Sequence, residues 1–186
     1  MSRTVVVLAF AAGAFAQQPL IFNRAVYNAA SFMPPRLPGG AVAQGGIFTI
    51  FGASLAPAKP VQASSFPLGT TLGGTSVLVK KGTTTVNAIR IYVSASQLNV
   101  IMPSNAPLGT ASVRVQTGFG QSNSMTVNIG PAAFGIFTAT GTGLGPGILQ
   151  NYIAQDNQPI NSATIAAKPG QVITLWGTGL GPGGGG

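Results

Sequence analysis

A chain of 186 residues, 45% of them apolar and 5% charged, can build the core of one ordinary domain with a remainder. It holds neither histidine nor cysteine and a single side-chain carboxylate, Asp156, so a Ser-His-Asp triad, a Cys-His pair, a disulfide, a Cys- or His-ligated zinc site and a two-carboxylate glycosidase are all excluded. Nine basic residues against that one acid leave a net charge of +8, a balance that suits an acidic polysaccharide, a nucleic acid or an anionic membrane, although only Lys80 and Lys81 are adjacent.

The N-terminus reads as an address. Met1-Ser2-Arg3 is a short positive region, Thr4 to Gly13 is an apolar run, and Ala14-Phe15-Ala16 is a small-x-small cleavage site. Residues 1–16 are therefore expected to be a secretory signal peptide. The run is too short for a bilayer span, which takes about 20 residues. The mature chain is expected to lack a transmembrane span and to be secreted or held at the cell surface, and export argues against nucleic acid as its partner.

Residues 17–40 read as an N-terminal extension with Pro34-Pro35 and little periodicity. Ile47 to Phe51 is apolar on both faces and bounded by glycines, which predicts a strand covered on both sides. Pro57 to Gly74 reads as loop. Five short runs then alternate. Val77 and Val79 point inward in the first; Ile89, Ile91 and Val93 inward, with Arg90 and Tyr92 outward, in the second; Leu98, Val100 and Met102 inward in the third. Ala111 to Gln116 and Ser124 to Ile129 alternate cleanly, and the runs are separated by turns at Gly82, Ser94 to Ser96, Asn105 to Gly109 and Gly118 to Gly120. Short strands at this spacing predict an all-β chain with an immunoglobulin-like sandwich over residues 41–131.

Residues 132–169 read as a Gly/Ala/Thr-rich linker that can hold a hairpin, with a weak strand at Ile148 to Ala154 and a turn at Asp156 to Pro159. Gln171 to Trp176 is a strong strand. Gly45-x-Ile47-Phe48-Thr49-Ile50-Phe51-Gly52-x-x-Leu55-x-Pro57 matches Gly170-x-Val172-Ile173-Thr174-Leu175-Trp176-Gly177-x-x-Leu180-x-Pro182 at an offset of 125 residues. Residues 170–186 are thus read as the first strand of an incomplete second module. A lone strand needs partners for its backbone and both faces, so it is expected to dock on Ile148 to Ala154 or on an edge of the first sandwich, burying Trp176.

These segments resemble the IPT/TIG branch of the immunoglobulin fold, in the form found as tandem modules in bacterial secreted proteins. The resemblance rests on Asn28 to Phe32, Gly46 to Leu55, Pro67 to Val77, Tyr92 to Pro103, Gly109 to Val115 and Gly170 to Pro182. It implies a secreted or surface-attached sandwich without enzymatic activity and carries over no catalytic residue and no ligand.

Two further patterns have bland explanations. Lys59 near Ser64 and Ser65 would need a desolvated lysine to make a nucleophile, yet it lies in a Pro-rich loop. Gly177-x-Gly179-x-Gly181 follows a strand as a dinucleotide loop does, but Pro182 and a glycine tail replace the helix, so it reads as a turn. No cofactor, metal or catalytic residue is expected. The candidate ligand face is Arg90, Tyr92 and Arg114, a basic and aromatic set should their strands neighbour each other. The expected role is structural, adhesive or surface-interacting, toward an extracellular glycan or another surface protein. The alternative is a carbohydrate-binding module for anionic polysaccharide, and a nucleic-acid-binding TIG domain ranks last.

Overall fold

A computed structural model describes residues 17–183; the expected signal peptide lies outside them. Every regular element described is a strand. In chain order they are β1 (Leu20–Asn28), β2 (Val42–Ala43), β3 (Ile47–Ala53), β4 (Val61–Gln62), β5 (Ser76–Lys81), β6 (Thr84–Asn87), β7 (Ile89–Val93), β8 (Gln97–Ile101), β9 (Gly109–Thr117), β10 (Gly120–Gln121) and β11 (Met125–Gly130). Four short strands follow: β12 (Gly135–Ile136), β13 (Leu149–Asn151), β14 (Ile173–Leu175) and β15 (Gly177–Thr178). No described helix is long and apolar enough to cross a membrane.

One sheet runs β1-β3-β8-β7-β4 and the other β2-β11-β9-β5-β6, with β10 against β9. In order along the chain, β1, β3, β7 and β8 take the places of strands A, B, D and E, and β5, β9 and β11 those of C, F and G. The molecule is an all-β, immunoglobulin-like sandwich. All pairings are antiparallel except β2 with β11, where Val42 lies beside Ile129 in a parallel ladder.

The alternating runs build the core. Phe48 and Ile50 of β3, Val77 and Val79 of β5, Leu98 and Val100 of β8, Val113 and Val115 of β9 and Val127 of β11 are each at most 1% exposed and face one another between the sheets. Fully burying such a side chain contributes about 1.5–3 kcal/mol.

Three expectations are corrected. The segment read as an N-terminal extension is not outside the sandwich: β1 is its first strand, and Ile21 and Val26 are core residues. Its pattern is hidden because a bulge between Ile21 and Val26 breaks the two-residue period, with Arg24 at φ +58°. Before the bulge, the Asn123 amide fastens Ile21, accepting from Ile21 N–H at 2.8 Å and donating to Ile21 O at 3.0 Å.

The second correction is on β7. Arg90 pairs with Val100 and Tyr92 with Asn99, so Ile91 is one residue too many and the side-chain alternation slips. Arg90 and Val93 therefore point inward, while Ile89 and Ile91 are only half-buried.

The third concerns Trp176. The strand read at the C-terminus does dock within the chain: β14 pairs antiparallel with β13, Leu175 opposite Leu149 and Ile173 opposite Asn151. Trp176, however, stays 51% exposed, its indole N–H donating to Gln150 Oε1 at 2.6 Å. Docking occurs through backbone and amide hydrogen bonds and leaves the indole at the surface.

β15 pairs with β12 and anchors the tail to the sandwich. Thr178 Oγ1 accepts from Ile47 N–H at 2.8 Å, and Gly179 O accepts from Ala133 N–H at 2.8 Å. Gly179 has φ +92°, and a Cβ there would lie 2.2 Å from Ala133 O. The glycines after β14 are thus selected by a left-handed turn and close backbone packing.

Candidate ligand-binding face

The structure does not bring Arg90, Tyr92 and Arg114 together. Arg90 and Tyr92 are on β7 in one sheet and Arg114 on β9 in the other. Arg90 is 1% exposed, and its Nε, Nη1 and Nη2 atoms make no hydrogen bond among the described residues. Burial strips water from the guanidinium and lowers its pKa to about 10. It is a core cation and not a ligand contact. Tyr92 is half-buried on the outer face of its sheet beside Asn99.

Arg114 belongs to a different and better-built face. The outer side of the β11-β9-β5-β6 sheet carries a transverse row in which Thr85 of β6 faces Lys80 of β5, Lys80 faces Ser112 of β9, and Ser112 faces Thr126 of β11. Arg114 lies two residues along β9 from Ser112, diagonal to Lys80, which sets the two residues about 7–8 Å apart, within reach of long side chains. Arg114 Nη1 donates to Gln121 Oε1 at 3.5 Å. Lys80, Thr85, Ser112, Arg114 and Gln121 line a groove of about 280 Å³.

A second groove of about 580 Å³ adjoins it across the Ser112–Thr126 pair, lined by Arg24, Arg36, Thr110, Ser124, Thr126 and Asn128 among others. Arg24 is placed there by the β1 bulge and Arg36 by the loop after β1. Four cations thus border a surface of hydroxyl and amide groups interspersed with Leu78, Pro35 and Met125. The chain's one acidic side chain, Asp156, belongs to the turn joining Ala154 to Asn157, beyond the sandwich. With no carboxylate on that sheet, the cations are free to meet an external anion. A third cleft, of about 390 Å³ at Ser54, Pro57, Gly73, Thr117 and Phe119, has no charged lining residue.

Of this face, sequence reasoning found Arg114 alone. The in-register alternation of Lys80, Ser112 and Thr126 was a usable signal, but which strands are neighbours depends on the sheet order. Arg24 and Arg36 lie in a stretch without periodicity.

On the outer side of the other sheet, Tyr27, Phe32 and Phe51 form a compact aromatic cluster with ring centroids 6.1–6.2 Å apart. Next to it Thr49 Oγ1 and Gln97 Nε2 each donate to Asn99 Oδ1 at 3.0 Å. These groups are occupied with one another.

No family model matches the chain, and no curated protein matches it. Among solved structures, one match is named a "Putative bacterial DNA binding protein", from Bacteroides vulgatus ATCC 8482. It is 20% identical over 48% of this chain and 40% of that one, with a TM-score of 0.33. The chain therefore spans less than half the length of that structure, and a likeness at this level bears on neither fold nor function here.

Proposed function

We propose that the protein is an exported, non-catalytic module of IPT/TIG type that attaches to acidic polysaccharide through the face bearing Lys80 and Arg114. The observation that carries this reading is the pair of adjoining polar grooves bordered by Lys80, Arg114, Arg24 and Arg36, with no carboxylate on that sheet. Acidic sugars present carboxylates or sulfates among hydroxyls. Such a ligand is met by Arg and Lys as charge partners and by Ser, Thr, Asn and Gln as hydrogen-bond partners. The signal-peptide pattern of residues 1–16 supports an extracytoplasmic location, where such polymers occur. The lack of histidine, cysteine and paired carboxylates favours attachment over turnover.

The test is a glycan array of neutral and acidic polysaccharides, repeated at low and high salt, with duplex DNA as a separate arm. Binding to acidic polymers that fades with salt is the expected result. The double variant Lys80→Gln, Arg114→Gln should weaken it about two- to thirtyfold, since exposed ion pairs contribute about 0.2–1 kcal/mol each. No binding at low salt, or binding indifferent to the double variant, defeats the proposal. Preference for DNA over acidic glycan would move the protein to the nucleic-acid reading.

A further inference from the structure

The charged face is divided. Its cations fall into two pairs, Lys80 and Arg114 bordering the smaller groove and Arg24 and Arg36 the larger. All four side chains are exposed. Between the pairs lies a strip without charge. Ser112 of β9 stands opposite Thr126 of β11 there, and two residues along the ladder Thr110 stands opposite Asn128.

Ladder geometry sets the distance between the pairs. Neighbouring strands lie about 4.7–4.9 Å apart. Continuing the β9–β11 ladder by one residue from the Met125–Val113 pair sets Ser124 opposite Arg114. Arg24 abuts that end of β11, its N–H donating to Met125 Sδ at 3.3 Å. Arg114 is therefore two strand spacings from Arg24, and Lys80, one strand further on β5, is three, or about 10–15 Å. The line that joins the two pairs runs across the strands.

We infer that an acidic polysaccharide lies across the strands and is held at two points, one acidic group at the Lys80–Arg114 pair and the next at the Arg24–Arg36 pair. The hydroxyls of the sugar between them meet Ser112 and Thr126. The inference rests on the glycan reading above and adds to it the direction of the ligand, the spacing of its charges and a minimum length.

The spacing selects the ligand class. In a linear polymer where a uronic acid alternates with a neutral sugar, successive carboxylates are two rings apart, on the order of two strand spacings. Each carboxylate then meets a pair that contains an arginine, whose planar fork suits it. A polymer acidic at every ring leaves a carboxylate over the neutral strip, with no cation to offset its lost hydration. A nucleic-acid strand does so more severely, with a charge about every 3.4 Å. Once the first acid is bound, the second contact is intramolecular, so affinity depends on whether the ligand is long enough to carry two acids.

The test is calorimetric titration at low salt with alternating uronic acid–neutral sugar oligosaccharides of two, four, six and eight rings. The two-ring ligand carries one acid and the four-ring ligand two. Affinity is expected to step up about two- to thirtyfold at four rings, the worth of two further exposed ion pairs, and to change little beyond. Lys80→Gln, Arg114→Gln and Arg24→Gln, Arg36→Gln should each abolish the step, so that four rings bind about as two rings do. Lys59→Gln, Lys168→Gln removes the same number of charges from exposed positions outside both grooves and should keep the step. A gradual rise with length, a step that survives Arg24→Gln, Arg36→Gln, or its loss in the Lys59→Gln, Lys168→Gln protein overturns the inference and leaves the glycan reading standing. Failure of every acidic oligosaccharide and polysaccharide to bind at low salt removes both.

Discussion

Asn28 and Asn151 occupy the same place in the two copies of the repeat. Asn28 lies opposite Phe48 and Asn151 opposite Ile173, and Phe48 and Ile173 are 125 positions apart in the matching register. Each asparagine is 2% exposed and uses its amide to hold chain outside its own ladder. Asn28 Oδ1 accepts from Ala30 N–H at 2.9 Å and Ser31 N–H at 3.1 Å, and its Nδ2 donates to Ala133 O at 2.8 Å. Asn151 Nδ2 donates to Ile165 O at 2.8 Å, and its Oδ1 accepts from Asn161 Nδ2 at 2.8 Å. In both places a strand lies beside a buried asparagine, and that asparagine fastens a loop.

Removing the first of these amides should loosen the join between the sandwich and the C-terminal region. Asn28→Ala leaves two N–H groups and one carbonyl without their partner, at about 1–3 kcal/mol for each group that water does not reach. Denaturant unfolding should show a lower midpoint, and limited proteolysis should cut first between residues 132 and 183. Unchanged stability and an uncut C-terminal region would show that Asn28 does not hold the join.

Arg90 predicts a gain on substitution. A buried guanidinium without a hydrogen-bond partner is a cost, so Arg90→Met, which keeps much of the volume and removes the charge, should raise stability by about 1–3 kcal/mol. By contrast Ile50→Ala, at a wholly buried position, should lower it by about 2–5 kcal/mol. The same cation sets a pH dependence. Its folded pKa lies below the unfolded value, so its burial penalty is complete below about 10 and is relieved as pH rises through that value, because the folded protein loses the proton first. The advantage of Arg90→Met over the natural protein should therefore shrink between about pH 9 and pH 11. An advantage that grows over that range would reverse the sign and refute the assignment.

The tail is held by hydrogen bonds of its backbone and of the Thr178 hydroxyl, and its chemistry can be tested residue by residue. Thr178→Val removes the acceptor of Ile47 N–H and should cost about 1–3 kcal/mol, while Thr178→Ser keeps the oxygen and should cost far less. Gly179→Ala combines a positive φ with a contact 2.2 Å from Ala133 O, so it should expel the tail from its seat. Amide hydrogen exchange at Ala133, whose N–H bonds to Gly179 O, reads this directly. Ala133 should exchange faster in Gly179→Ala than in the natural protein.

Strands with an unbroken two-residue period were readable from sequence, and those with a bulge were not. Leu98 and Val100, and Val113 and Val115, alternate with polar residues, Val77 and Val79 flank Leu78, and all six are buried as expected. β1 has equally good apolar residues in Ile21 and Val26, but four residues separate them across the bulge, and the segment looked irregular. At β7 the alternation looked perfect and misled, because Ile91 is the extra residue and Arg90 turned inward. The Ile148 to Ala154 segment was one of two docking places expected for the Gln171 to Trp176 strand, which was legible in its own apolar run. The exposure of Trp176 was not, since it depends on the absence of a described strand over that face.

The sequence by itself determined an all-β chain, the core residues of four strands, the excess of cations over its one carboxylate and the repeat that relates β3 to β14. These are properties of residue order and composition, and local periodicity carries them. Only the tertiary structure decided which cations share a surface. Lys80 and Arg114 meet because β5 and β9 are neighbours, and Arg24 and Arg36 join them because β1 bulges beside β11. Arg90, one strand-face slip away from solvent, is lost to the core. Each outcome turns on register, and a shift of one residue in a β-ladder exchanges inside for outside.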